Sequence, residues 1–171
     1  VTEKGEIKEW NNNNKRWLSY PGISGVKDAF ISKENGNRKY ALGTVKQADG
    51  SDKFGFYYVD NISATSSSWI PVFSDAVISE CIKAANDKAD NCYFVTAAGK
   101  LMVKYKNAKE YTYLDTQGKL VSDVLVGEDD KVYMMDQAGS IYVLINSTMK
   151  WESSNFSASS FGVDDKGNVY G

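Results

Sequence analysis

Residues 131–151 read KVYMMDQAGSIYVLINSTMKW, and their spacing recurs along the chain. Tyr133 leads Gly139 by six positions; Ile141 follows that glycine by two, Asn146 by seven and Trp151 by twelve. In CYFVTAAGKLMVKYKNAKEY (residues 92–111), Tyr93 leads Gly99 by six, Leu101 follows by two and Tyr111 by twelve. The N-terminal copy, GEIKEWNNNNKRW, sets Ile7 two and Trp17 twelve after Gly5. A looser copy runs Gly55, Tyr57, Asn61, Trp69. The N-terminal copy lacks its leading tyrosine, but reading from the last residue into the first places Tyr170 six positions ahead of Gly5. The glycine steps are 50, 44, 40 and, across that join, 37, so the pattern closes on itself in four units.

Each unit opens with a short apolar segment: Asp28–Ile31, Asp75–Ile78, Asp123–Val126 and Ser160–Val163. A polar turn follows, then the tyrosine strand, a glycine turn, a third alternating strand and the aromatic position. No 3.6-residue apolar period persists long enough for a substantial helix. Four short strands in a unit of about 43 residues are the mark of a propeller blade, which buries its faces only against neighbouring blades. The expectation is an all-β, single-domain, four-bladed β-propeller. Its blades are residues 19–69, 70–111, 112–151, and 152–171 joined by 1–18, so that N-terminal strands close the last blade.

Bulk composition fits: 42% hydrophobic, 25% charged and 13% aromatic residues, with eleven Tyr and four Trp, favour strands. A net charge of −2 with no basic block gives no reason to expect nucleic acid, and no apolar run is long enough to insert in a membrane. A start at Val1 suits removal of a signal peptide. Three sequons, at Asn61, Asn146 and Asn155, suit a secreted glycoprotein. Cys81 and Cys92, eleven apart around a polar stretch, are expected to staple a hairpin as a disulfide.

The stretch that spans the join, GNVYG followed by VTEKGEIKEWNNNNKRWLSYPG, resembles the tectonin repeat. Gly167, Val169, Gly171 and Val1 match its first part, Gly5 and Ile7 its second, and Trp17, Pro21 and Gly22 its third. Tyr170 and Tyr20 replace the usual Trp and Ile. Tectonin and tachylectin proteins are propeller lectins of innate defence and cell-surface recognition, so the resemblance implies a secreted carbohydrate-binding protein. Members more often have five or six blades. The opening Asp28-Ala29-Phe30 also resembles hemopexin-like four-bladed domains, but there a disulfide joins the ring's ends, whereas both cysteines here fall inside one unit.

Sugar binding of this kind stacks a ring on an exposed aromatic face and hydrogen-bonds its hydroxyls. The repeat aromatics Trp17, Trp69, Tyr111 and Trp151, the off-pattern Trp10, and Asn11 and Asn107 are the candidates; the structural alternative packs the repeat rings between strands. Asp28, Asp75 and Asp123, at the head of three units, are candidates for a carboxylate ring that holds Ca²⁺. Catalysis finds little support: the chain has no His and none of the nucleophile, phosphate-loop or zinc motifs. Expected partners are glycans or glycoproteins, with another secreted or cell-surface protein as the alternative; oligomers are compatible with either.

Overall fold

A computed structural model describes residues 1–11, 13–33, 38–60, 68–164 and 166–171. These residues are all-β and antiparallel apart from one helical turn. They divide into two compact units, 1–81 and 82–171.

The first unit opens with a hairpin of β1 (Lys8–Asn11) and β2 (Arg16–Ser19). A four-stranded sheet follows in sequential order: β3 (Ser24–Ile31), β4 (Lys39–Lys46), β5 (Asp52–Val59) and β6 (Ile70–Phe73). One face buries Tyr20, Val26, Ala41, Tyr57, Val59 and Trp69. Aromatics line up across the strands elsewhere in the sheet: Tyr40 stacks on Phe56 at 5.0 Å, and Phe56 on Phe73 at 6.2 Å. Because β6 pairs with β5, it belongs to this sheet. Helix α1 (Ala76–Ser79) follows, where a strand opening at Asp75 was expected. The Asp75 carboxylate accepts the Ile78 N–H at 3.1 Å, an N-cap that satisfies a donor a helix start leaves free.

The second unit carries a sheet of β7 (Cys81–Asn86, its first residue at the unit boundary), β8 (Cys92–Thr96), β9 (Leu101–Lys104) and β10 (Thr112–Tyr113). Another sheet holds β11 (Val121–Val126), β12 (Val132–Asp136), β13 (Ser140–Ile145) and β14 (Lys150–Ser157). A two-stranded ribbon of β15 (Gly162–Val163) and β16 (Val169–Tyr170) ends the chain. The core gathers Val95, Leu101, Val103, Val121, Met134 and Trp151 with their neighbours.

Two turns recur. In the turn before the tyrosine strand, Asp87 N–H donates to Asn91 O, and Asp164 N–H to Asn168 O. The carboxylate holds the turn from inside: Asp87 accepts from Asn91 N and Nδ2 at 2.8 Å each and from the Tyr93 hydroxyl at 3.1 Å. Asp164 repeats the set with Asn168 and Tyr170, and those bonds hold its pKa down to about 2. In the copy between β11 and β12, Gly127 replaces the first aspartate. Its carboxylate comes instead from Asp129, which accepts the Tyr133 hydroxyl at 3.0 Å. A side chain at Gly127 would collide with Asp129 Oδ1, so Asp129 fills the space that Gly127 leaves.

The other turn carries the repeat glycine. Gly5, Gly99 and Gly139 donate N–H to the residue three before, Thr2, Thr96 and Asp136, with φ of +70°, +76° and +86°. This left-handed backbone suits glycine and closes a hairpin whose twist matches its strands. In the first sheet Gly50 does this, bonding Gln47 O at φ +85°. The repeat glycine there is therefore Gly50, not Gly55, which lies inside β5 opposite Gly43.

Gly50→Ala and Gly139→Ala separate the two roles of that glycine. Nothing lies within 4 Å of a Cβ at Gly50, whereas one at Gly139 meets Ala158 O at 2.6 Å. Urea unfolding should show a loss of about 1 kcal/mol for Gly50→Ala, from backbone strain alone. Gly139→Ala should cost roughly 1–3 kcal/mol more, because the backbone at Ala158, just past β14, must shift. Equal losses would mean that the close approach at Gly139 carries no weight.

Candidate functional site

Residues 11–16, NNNNKR, separate Trp10 from Trp17, and the hairpin register sets the two directly opposite each other. Their rings meet edge to face, with centroids 5.5 Å apart and planes at 66°. Such a pair is worth ~0.5–1.5 kcal/mol beyond the area it buries. Both stay open to solvent, at 43% and 62% exposure. Alternation along the strands sets Lys8 and Ser19 on the same face, also exposed, with Lys8 Nζ 3.7 Å from Glu6. Beside this hairpin, Tyr20, Phe30, Ile31 and Tyr40 wall a cavity of about 160 Å³, with Lys8 and Glu9 at its rim. The Tyr20 hydroxyl donates to Glu9. The cavity and Tyr20 carry no spacing signal in the sequence; the opposition of the two tryptophans does, because an even-numbered loop between them puts them in register.

The same hairpin position in the second unit is filled differently. There Thr112 pairs with Val103, which brings Lys104 opposite Tyr111. Lys104 Nζ lies 4.8 Å from the Tyr111 ring and donates to Lys109 O, and Lys104 is only 9% exposed. Tyr111 is half-buried, edge-on to Phe94 at 6.3 Å. It is occupied by its neighbours rather than presented as a stacking platform.

Trp69 and Trp151 are core residues, which corrects their reading as sugar platforms: they are 7% and 6% exposed. Each indole N–H donates at 3.0 Å to a backbone carbonyl, Trp69 to Pro21 and Trp151 to Asp115. A buried indole finds a partner in this way. Asn107 is exposed in the Tyr105–Ala108 turn, away from any tryptophan in sequence and strand register. Asn11 pairs with Arg16 through the backbone of the hairpin.

Neither unit by itself assembles a carboxylate ring among its described residues. Among the described residues no three His, Cys, Asp or Glu side chains group as metal ligands. Asp28 and Asp123 each accept the N–H of the next residue, at 3.0 and 2.9 Å; Asp123 also faces Lys83 at 3.4 Å, and Asp75 caps α1.

The expected disulfide is absent: Cys81 and Cys92 are free and buried. The Asp87–Asn91 turn joins β7 to β8, so Cys92 sits at the turn end of that hairpin and Cys81 at the far end of β7. Five strand residues span roughly 16 Å at about 3.3 Å each. A disulfide needs Cα atoms about 4.4–6.8 Å apart. Burial pushes both thiols up to about 12, helped by Asp75 and Glu80 at Cys81 and by Asp90 and Asp87 at Cys92. Of the sequons, Asn146 and Asn155 are exposed, Asn155 with φ +57° in β14; Asn61 lies outside the described residues.

Sheets of sequential antiparallel strands, with this turn grammar, define a β-propeller-type fold, and solved structures agree. The chain is similar to PorZ, an essential bacterial surface component of the type-IX secretion system of Porphyromonas gingivalis (16% identity, TM-score 0.59, 96% of this chain and 24% of that one). It is similar to YCF48 from Cyanidioschyzon merolae (13%, TM-score 0.55, 89% and 51%). It is also similar to an auxiliary nutrient binding protein from Bacteroides thetaiotaomicron (15%, TM-score 0.54, 98% and 42%). The chain thus spans a quarter to a half of the length of these proteins. No protein-family model and no curated protein matches the sequence.

Two measurements check these assignments. Iodide or acrylamide should quench the fluorescence of two of the four tryptophans in the native protein, and Trp10→Phe with Trp17→Phe should abolish the quenchable fraction; accessible emission from Trp69 or Trp151 would contradict their burial. Native protein at pH 8 should react with no thiol reagent, since both thiols stay protonated well above that pH. In urea without reductant two thiols should titrate; none would mean that they are bonded.

Proposed function

We propose that this chain is a carbohydrate-binding propeller module and that the Trp10–Trp17 pair is its sugar platform. The observation that carries the reading is that two large indoles stand side by side in solvent on a hairpin whose counterpart in the second unit packs its half-buried aromatic against Lys104 and Phe94. Paired exposed rings, with Lys8 and Ser19 beside them, match what a pyranose requires: an apolar floor and polar groups at its edge. The tectonin-like residues Gly5, Ile7, Trp17, Pro21 and Gly22 lie in or next to this hairpin, and the likeness to a nutrient binding protein and a surface component is in keeping with an extracellular binding role.

The four-unit closure of the sequence supports a ring of four blades, the last shared between the ends. The β1–β2 hairpin and the β15–β16 ribbon are each two-stranded, as halves of a four-stranded blade would be. Binding rather than catalysis is supported by the absence of His from the sequence and by thiols held in the protonated form.

A glycan array tests the reading, run with and without calcium. Wild type should bind a defined subset of glycans, independently of calcium. Trp10→Ala and Trp17→Ala should each weaken binding by about tenfold or more, since losing a stacking ring costs roughly 1–3 kcal/mol. Their circular dichroism should stay unchanged. A blank array on folded protein, or binding that survives both substitutions, overturns the proposal and favours a protein partner.

A further inference from the structure

The second unit carries a cavity of about 380 Å³ beneath its β9–β10 strands. Its wall includes Lys100, Tyr113, Asp115, Thr116, Lys119 and Leu120. Tyr113 is 56% exposed and Leu120 54%, an open apolar patch. Lys100 Nζ lies 5.6 Å from the Tyr113 ring, and Lys119 Nζ 4.8 Å from the Tyr142 ring. Among the described residues neither lysine has a carboxylate within ion-pair distance, Asp115 included. Asp115 Oδ1 accepts the Gln117 N–H at 2.8 Å.

The first unit shows that the scaffold does not need these side chains. Its backbone makes the same bonds: Val26 N–H to Gly5 O and Tyr20 N–H to Ile7 O correspond to Val121 N–H to Gly99 O and Leu114 N–H to Leu101 O. The Glu6 N–H bonds Thr2 Oγ1 as the Lys100 N–H bonds Thr96 Oγ1. By that correspondence Lys100 stands where the first unit has Glu6, Tyr113 where it has Ser19, Lys119 where it has Ser24, and Leu120 where it has Gly25. Two cations and two large apolar groups thus replace an acid, two serines and a glycine on equivalent backbone. Exposed Leu and Tyr gain nothing for folding by facing water.

We infer that this cavity is a second binding site, specific for an acidic saccharide unit: a pyranose that bears a carboxylate. Tyr113 and Leu120 offer the apolar floor, and Lys100 and Lys119 the cationic side for the carboxylate. Asp115 and Thr116 offer acceptors for the ring hydroxyls. The Asp115 carboxylate excludes a ligand that is anionic all round and favours one with hydroxyl donors, so a sugar acid fits better than a bare anion. The site uses none of the Trp10–Trp17 hairpin and stands or falls independently of that platform.

Amide-resolved NMR titration with galacturonate, galactose and acetate tests it. Galacturonate should shift the amides of Gly99, Lys100, Gly118 and Leu120 saturably, at ~1 mM as befits a single weakly held sugar. Galactose should bind at least about fivefold more weakly, and acetate should not saturate, since each lacks one half of the recognition. Lys100→Glu with Lys119→Ser, which copies the residues of the first unit and so leaves the backbone intact, should weaken galacturonate binding by about tenfold or more. Trp10→Ala should leave the shifts at the cavity amides unchanged while weakening glycan binding at the tryptophan pair by about tenfold or more, so the two proposals fail separately. Equal binding of galactose and galacturonate, a saturable response to acetate alone, no shift at the cavity, or galacturonate binding that survives the double substitution would each overturn the site.

Discussion

The architecture depends on a short turn in which one residue takes a left-handed backbone and the side chain that opens the turn accepts the N–H groups left unpaired. Antiparallel strands this short cannot set their own register, because each contributes only a few ladder bonds and one apolar face. The turn sets it for them. Where the carboxylates of Asp87, Asp129 and Asp164 also hold a tyrosine hydroxyl, the turn is tied to the following strand, and through buried Tyr93 and Tyr133 the first two are tied to the core. Burial, then Asp129, pushes the Tyr133 hydroxyl up to about 12, so it remains a donor throughout the range in which the protein is handled.

With register fixed by backbone and turn, the side chains at equivalent positions are free to differ, and the two units use that freedom in opposite ways. The first leaves Trp10 and Trp17 open at its hairpin and carries Glu6, Ser19 and Ser24 near the turn glycine. The second buries Lys104 and half-buries Tyr111 at the hairpin and carries Lys100, Tyr113 and Lys119 near the turn. Each indole that the core does need, Trp69 or Trp151, reports its role by donating to a carbonyl at the same place in the repeat. A pair of equivalent scaffolds therefore acts as an internal control: what recurs is structural, and what departs is a candidate for recognition.

This explains which parts of the fold were legible in the sequence. Tyr93, Tyr133 and Tyr170, with Gly99, Gly139 and Gly5, were readable because their roles demand a hydroxyl at a fixed reach and a left-handed backbone. Gly55 misled because a glycine also serves where two strands approach closely, and spacing alone does not separate that use from the turn at Gly50. Asp75 misled because an aspartate before an apolar run opens a strand or caps a helix with equal ease; here Ile78 N–H decides. The cysteines misled because separation in sequence says nothing about which ends of a hairpin they occupy. Burial of the aromatics was not legible at all, since Trp17 and Trp151 share one spacing and differ only in what packs on them.

The exchange at Gly127 and Asp129 has a consequence for how such chains diverge. Adding a carboxylate at 127 while Asp129 remains forces the Asp129 carboxylate aside, and removing Asp129 while Gly127 remains takes away the acceptor of the Tyr133 hydroxyl. The two solutions are separated by a valley that neither single substitution crosses without loss. Each copy of the turn therefore keeps a matched pair of residues rather than a mixture of the two solutions. The same turn geometry can thus be reached with different residues, and proteins only 12–16% identical to this chain have a similar fold.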